Sequence, residues 1–565
     1  MHRLLLATLT LAISLNVQTA EPLQTVAEKS GYKATSTHAE VLAFTKDLAK
    51  RFPDSVKYSE YGTSGEGKPL PALTLQSGAD EKRPAVLVFA NIHAGEVDGK
   101  EAVLALARDL AENKNPLLAK LRIVILPDIN PDGNDRIDKK NRTEQNGPAE
   151  GVGTRENADG LDLNRDFAKL ETNEIRALLK LVNRVDPLSV IDCHTTNGSR
   201  HRYTLTYDGP RTASAHPDLV SYTSAKLFPD LTAKLKKATG YDSFWYGNFN
   251  RDRTEWSTYG TTPRYSTPLF AMQGRIGILS ESYSYATYEE RIKASYAFVK
   301  ANLDHVAENA DALKKLVAAA RETPAKIALR TKTVAHDKTA TVLGFVEKDG
   351  KPVEPRQPKD YDLKIVMKVV PTLEVEVPSA YLIPAEFGAV ADTLRRHGIK
   401  VEEIREQIEL DTETYTITEL TKAKTAFQKH TTVTVEAARA KSKTTAQPGM
   451  FLVRTKQPLG RLAAYLLEPL AEDGLTTWNA FDAALAVKAP FPVLRLPKSA
   501  PVFTGDPRAL PEDRLTKKKF DLASPMKPGA VLGDITWLPD GEHWLQVKEA
   551  KLWKVAARTG RAELF

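Results

Sequence analysis

Cysteine is almost missing from this 565-residue chain: Cys193 stands alone, so no internal disulfide can form and the fold must rest on its buried core. Long apolar runs are missing after the first twenty residues, which leaves no later candidate for a membrane-spanning helix of ~20 residues. Clusters of one charge sign are missing too. Lys and Arg number 79 against 72 Asp and Glu, and the resulting +7 is dispersed, which argues against a nucleic-acid partner. What remains, 42% hydrophobic and 27% charged residues, describes a soluble globular chain. Its length exceeds what one compact core organises, so two or three domains are expected.

The single extended apolar run is at the start. His2 and Arg3 precede Leu4 to Val17, and the run ends near Thr19-Ala20. This is the layout of a secretory signal peptide, although Gln18 stands where a small residue is preferred. No cysteine follows to carry a lipid anchor. The expectation is export, to a periplasm or beyond, and the mild positive charge is compatible with an anionic envelope.

The chain then alternates strand and helix patterns. The apolar run Ala85 to Ala90 reads as a buried parallel strand, and Val97 to Asn113 as an amphipathic helix. Between them lies Asn91-Ile92-His93-Ala94-Gly95-Glu96. Leu121 to Pro127 is a second buried strand, closed by the turn Asn130-Pro131-Asp132-Gly133. Residues 134–160 form a long polar loop, a length usually functional or mobile, and end at Leu161-Asp162-Leu163-Asn164-Arg165-Asp166-Phe167. A helix over Glu171 to Arg184 leads to a strand from Leu188 to Asp192, with His194 just past its end; a strand from Arg275 to Ser280 delivers Glu281 in the same way. Such alternation predicts an α/β fold whose mostly parallel sheet lines a crevice with the carboxyl ends of its strands.

His93 and Glu96, three apart at a strand end, can meet on one ion. With eleven histidines in the chain, about 0.7 His-x-x-Glu pairs arise by chance, so the pair alone decides little. His305 and Glu308 share the spacing inside a helical pattern and read as ordinary helix-face residues. The case for His93 comes from His194, which completes a His2Glu set suited to a catalytic zinc with an open fourth position. Glu281 is placed to take a proton from water and pass it to a leaving amine. One arginine would stabilise the oxyanion, and Asn164 with Arg165 offers a clamp for a carboxylate. These parts describe a hydrolase for an amide bond beside a free carboxylate.

Residues 33–310 resemble the zinc carboxypeptidase family, the carboxypeptidase A-like metallopeptidases. The motifs that carry the likeness are YGTSGEGKPL (61–70), NIHAGE (91–96), NPDG (130–133), GLDLNRDF (160–167), the strand ending in His194, and ILSE (278–281). The resemblance implies an α/β/α sandwich with a mixed, mostly parallel eight-stranded sheet. It also implies one zinc ion on His93, Glu96 and His194, Glu281 as general base and acid, and Asn164 and Arg165 beside the terminal carboxylate of a peptide. The carbonyl-polarising arginine is assigned to Arg155, with Arg142 as the alternative, and the substrate-capping tyrosine to Tyr259 or Tyr265. Arg264 and Arg275 read as packing charges, Asn197 and His201 as loop-stabilising residues, and Cys193 as a buried residue outside the ligand set.

From about residue 330 the pattern changes to Thr/Val/Lys-rich alternation, which predicts a β-rich accessory region with helices at Ala385–His397 and Leu459–Leu467 and no catalytic constellation. The domain reading is a signal peptide (1–20), a catalytic domain (21–312), a linker (313–330), the accessory domain (331–500) and a tail (501–565). Gly533 to Glu542 and the strands after it resemble the opening blade of a dipeptidyl-peptidase-type propeller, and one blade cannot close a propeller. The leading function is an exported metallocarboxypeptidase. The alternatives are a carboxypeptidase or amidase for cell-wall peptides, an N-acyl amino acid deacylase, and a non-catalytic peptide-binding protein. Oligomeric state and pocket preference are left open.

Overall fold

The computed structural model describes residues 22–80, 82–348 and 351–506, together with short strands between 536 and 564. The leader-like residues 1–20 and most of the 533–542 motif lie outside the described residues.

The first unit is built on eight strands: β1 (Val56–Thr63), β2 (Pro69–Leu75), β3 (Ala85–Ala90), β4 (Arg122–Leu126), β5 (Ser189–Thr196), β6 (Leu205–Asp208) and β7 (Ser243–Trp245), with Ile276–Tyr283 entering between β5 and β6. The order across the sheet is β1-β2-β4-β3-β5, then Ile276–Tyr283, then β6-β7. β3 pairs in parallel with β4 and β5, and β5 pairs in parallel with Ile276–Tyr283, so the centre is parallel and the β1-β2-β4 side antiparallel. The sequence explains this burial. Every residue of Ala85–Ala90 is buried, and period-two alternation sends Val86, Val88 and Ala90 into one core and Leu87 and Phe89 into the other. Helices His38–Arg51, Asp98–Glu112, Phe228–Thr239 and Tyr288–Glu308 share the first core; Asn173–Val185 and Ser266–Met272 share the second. The fold is therefore α/β with a mixed eight-stranded sheet covered on both faces.

Two strands run further than their apolar segments. β5 continues through Thr196 and the Glu281 strand through Tyr283, so His194 and Glu281 sit within strands, opposite one another in register, and not past strand ends. Polar side chains sustain the extension: Asp98 Oδ2 accepts from Thr195 Oγ1 (2.5 Å) and Ser282 Oγ (2.7 Å). Fully buried Arg291 closes this cluster, with Nε 3.0 Å from Asp98 Oδ2. Its guanidinium also donates to the carbonyls of Asn146, Ala286 and Gly147, which ties the 134–160 loop to the sheet.

Residues 313–330, read as a linker, are packed structure. Leu313, Val317 and Ala320 are buried on helix Ala310–Ala320, and Ile327 and Leu329 are buried at the start of strand Lys326–Phe345. That strand pairs with Pro358–Glu376, which in turn pairs in parallel with Glu255–Ser257 of the first unit. A seven-stranded sheet follows, edged by the hairpin of Ile408–Lys422 and Val433–Ala446. The predicted helices are Gly388–Arg396, preceded by a 3-10 turn, and Gly460–Leu467. In the tail, the strands Thr536–Trp537, His543–Lys548, Lys551–Ala556 and Ala562–Leu564 pair antiparallel in sequence order.

Removing the charge of Arg291 leaves Asp98 buried without its partner. Arg291→Met is expected to cost about 3–5 kcal/mol of unfolding free energy, read as a lower denaturant midpoint. A loss within ~0.5 kcal/mol, the range of an ordinary surface substitution, would show that the pair does not hold the loop to the sheet.

Candidate active site

His93 and Glu96 lie on the turn between β3 and helix Asp98–Glu112, and β5 carries His194 beside them. All three are at most 3% exposed, and their ligand atoms lie within 4.8 Å of one another. His194 Nδ1 is 3.1 Å from His93 Nδ1 and 2.8 Å from Glu96 Oε2, and His93 Nδ1 is 3.2 Å from Glu96 Oε1. Both imidazoles therefore aim the same nitrogen at one point.

The far nitrogen of each ring meets a carboxylate. His93 Nε2 is 2.9 Å from Asp162 Oδ1, and His194 Nε2 is 2.9 Å from Asp192 Oδ1. Such partners fix the tautomer and ring orientation of a metal-binding histidine and raise its basicity. Neither aspartate is among the residues the sequence reading selected. The signal was available for Asp192, since residues two apart on a strand face the same way. Asp162 belongs to the quoted motif, but only the fold brings it to His93. Ser266 Oγ donates to Asp192 Oδ2 (2.5 Å) and so locks the second pair.

Arginines ring the cluster. Arg142 donates to Glu96 Oε1 (2.9 Å) and to the Thr195 carbonyl (2.8 Å). Arg155 pairs with Asp162 Oδ2 (2.9 Å), has Nη1 3.6 Å from Glu96 Oε1, and keeps 37% of its side chain exposed toward the cleft. Arg165 reaches the Asn164 carbonyl (2.7 Å) and lies over the Tyr265 ring, 4.6 Å from its centroid. Asn164 is fixed by the Ser266 backbone N–H, which donates to its Oδ1 (3.1 Å). The cavity these groups line measures about 300 Å³, and Tyr246, Tyr259, Tyr265 and Glu281 complete its wall. Tyr246, absent from the sequence reading, packs edge-on against Tyr259 at 5.6 Å.

Glu281 is 9% exposed and its Oε2 has no hydrogen-bond partner among the described residues. Burial pushes its carboxyl up to about 8: the proximity of Glu96 and Asp192 adds to the shift, while His194 and Arg142 oppose it. Glu96 is held well below the usual carboxylate range; burial alone would raise it, but His93 and Arg142 outweigh that.

The remaining candidates fall outside the cleft chemistry or at its edge. Arg264 is paired with Asp473 (2.8 Å) and Arg275 with Asp186 (3.0 Å). His201 stacks on Tyr283 at 4.2 Å, and burial lowers it to about 3. Asn197 lines the cavity, and its carbonyl accepts from Tyr285 Oη (2.5 Å). Cys193 is buried outside the ligand set. His305 is a helix residue between Asp230 (2.7 Å) and Tyr222 (2.9 Å).

Residues 41–204 match the family model described as zinc carboxypeptidase. Carboxypeptidase 2 of Trichophyton rubrum is 23% identical over 470 residues, covering 78% of this chain and 82% of its own, a longer stretch than residues 21–312 supply. Carboxypeptidase Z of Mus musculus is 33% identical over 153 residues, covering 25% of this chain and 23% of its own. Among solved structures, carboxypeptidase A of Helicoverpa armigera covers 49% of this chain and 74% of its own at 17% identity, with a TM-score of 0.38. The match over residues 41–204, the motif order and the meeting of His93, Glu96 and His194 make this part of the chain similar to the zinc carboxypeptidase family.

Proposed function

We propose that this chain is an exported metallocarboxypeptidase that hydrolyses the C-terminal amide bond of peptides, with one zinc ion held by His93, Glu96 and His194. The observation that carries the reading is the convergence of those ligands with Glu281 in one cavity. The donor set fits the ion: two imidazoles, each backed by a carboxylate, and a third carboxylate, which is a ligand class of catalytic zinc. When bound, the zinc polarises the scissile carbonyl and lowers the pKa of water.

The chain's own groups supply the rest. Glu281 takes the proton of the attacking water on its unpartnered oxygen and returns it to the leaving amine. Arg155, the more open of the two arginines beside Glu96, faces the developing oxyanion. Arg142 is committed to Glu96 and the Thr195 carbonyl, so it orients the ligand. Asn164 and Arg165 receive the substrate carboxylate, for which the planar guanidinium offers paired donors. Tyr265 or Tyr259, both on the cavity wall, caps the bound residue. Export rests on the leader-like residues 1–20. A panel of peptides differing in the last residue, wall-derived peptides with D-residues or diaminopimelate included, reads the substrate preference.

The purified chain should contain about one zinc per molecule by elemental analysis and release a C-terminal amino acid until a chelator is added. Glu281→Gln should keep the metal and lose roughly 10²–10⁴-fold in turnover. Retained turnover in that variant would remove the glutamate from the mechanism, and a chain without metal or release would remove the enzyme reading altogether.

Asp192→Asn should weaken zinc roughly 10–100-fold in a chelator competition, because the second-nitrogen partner of His194 is lost. Unchanged affinity would show that Ser266 and the strand orient the ring without it.

The pH profile follows from the sign of the Glu281 shift. The base acts when deprotonated, so kcat/KM rises with pH along its titration. A dication beside it favours the charged form, so the midpoint in the loaded enzyme should fall below the value of about 8 for the metal-free site. An acid limb centred above that value would contradict the assignment.

A further inference from the structure

The accessory region reaches the active site. Its edge hairpin turns at Phe427–His430, where the Phe427 N–H donates to the His430 carbonyl (2.8 Å) and the His430 N–H returns the bond (3.0 Å). The two residues between, Gln428 and Lys429, both have positive φ, 52° and 64°. That is the pattern of a type I′ turn, which favours Asn-Gly and holds Gln-Lys only when the surroundings enforce it.

The surroundings are the carboxylate side of the cleft. The backbone N–H of Asp162 donates to Gln428 Oε1 (2.9 Å). Two and three residues on, Asn164 and Arg165 line the cavity. His430 bridges Asn479 Oδ1 (2.8 Å) and Glu171 (2.9 Å), which anchors the tip on both units. A second grip lies alongside. Fully buried Asp473 accepts from the Arg264 backbone N–H (2.8 Å) and pairs with its guanidinium, which rests over Trp478 at 4.9 Å. Arg264 immediately precedes Tyr265. The accessory region thus holds the backbone of both turns that present Asn164, Arg165 and Tyr265.

From this we infer that the accessory region is part of the substrate site, and that Gln428 and Asp473 are positioning residues for recognition of the substrate's terminal carboxylate. The inference rests on the carboxypeptidase reading above. It predicts that loosening the tip impairs carboxylate recognition more than chemistry or metal binding, since the tip holds Asp162 by its backbone N–H and leaves the side-chain carboxylate on its own partners, His93 and Arg155.

The experiment compares full-length wild type with Gln428→Leu on one peptide as its free acid and as its C-terminal amide. Wild type must first show chelator-sensitive release from the free acid; if it shows none, the carboxypeptidase reading fails and not this one. In Gln428→Leu, one lost hydrogen bond should raise KM for the free acid roughly three- to tenfold. The change in kcat should be smaller, and the preference for acid over amide should fall. Zinc content should match wild type. The double variant Gln428→Asn/Lys429→Gly separates positioning from stability. It gives the turn its favoured residues, so the thermal midpoint should hold or rise, yet the shortened side chain at 428 no longer reaches Asp162 and KM should still rise. Asp473→Asn should act in the same direction on KM. Unchanged KM and unchanged acid-over-amide preference in Gln428→Leu and in the double variant would overturn the inference. So would a loss that appears only as reduced kcat in proportion to unfolded protein.

Discussion

Four carboxylates, Glu96, Asp162, Asp192 and Glu281, are buried in one constellation, and the rest of the catalytic unit is arranged around matching their charge. Burying an anion without a partner is costly, so each must be met. Asp162 is met by His93, Arg155 and Arg165, Glu96 by both imidazoles and Arg142, and Asp192 by His194 and Ser266. Glu281 Oε2 has neither a hydrogen bond nor an ion-pair partner among the described residues, and burial raises its carboxyl. The imbalance falls where a dication and a proton-accepting base are both useful. Three parallel strands in register make this possible, because they carry residues from distant parts of the chain to the same level of the sheet.

The same economy of buried charge governs the layer beneath. Asp98, two residues after Glu96, ties Thr195 on β5 to Ser282 and to Arg291. The polar ends of two strands are thereby kept in the ladder, and the loop that brings Arg142 to Glu96 is anchored through the carbonyls of Asn146 and Gly147. The members of such a network polarise and hold one another, which makes it a constraint on the geometry above it.

Features encoded within a few residues were legible in the sequence. The buried strand Ala85–Ala90, the His93–Glu96 turn and the segment ending in Asn164-Arg165 each carry their own pattern, and their order pointed to the sheet and its crevice. Features that depend on contact between distant segments were not. The apolar pattern stops at Asp192 and Ser280, so both strands seemed to end there, whereas Asp98 carries them onward. Arg155 was preferred to Arg142 by its place in the chain alone; their partners, Asp162 for the one and Glu96 with the Thr195 carbonyl for the other, could not be read there. Residues 313–330 looked like a spacer because short polar breaks resemble linkers; their apolar residues are buried against both units.

The accessory region was the least legible part, and the reason is physical. Its strands alternate like any solvated sheet, and nothing in their pattern indicates which surface the hairpin meets. Yet a single apolar cluster runs from Phe89, Leu163 and Phe270 of the catalytic unit through Leu329, Tyr381, Leu462, Trp478 and Phe491 of the accessory region. Two units that share a core do not move as independent bodies, because separating them would expose that cluster to water. The hairpin tip is therefore carried on a rigid base, and a rigid base is what a turn with two non-glycine residues at positive φ needs in order to persist. The cleft wall formed by Asp162 to Arg165 takes its support from a part of the chain that contributes no ligand and no base, which is why a motif search stops short of it.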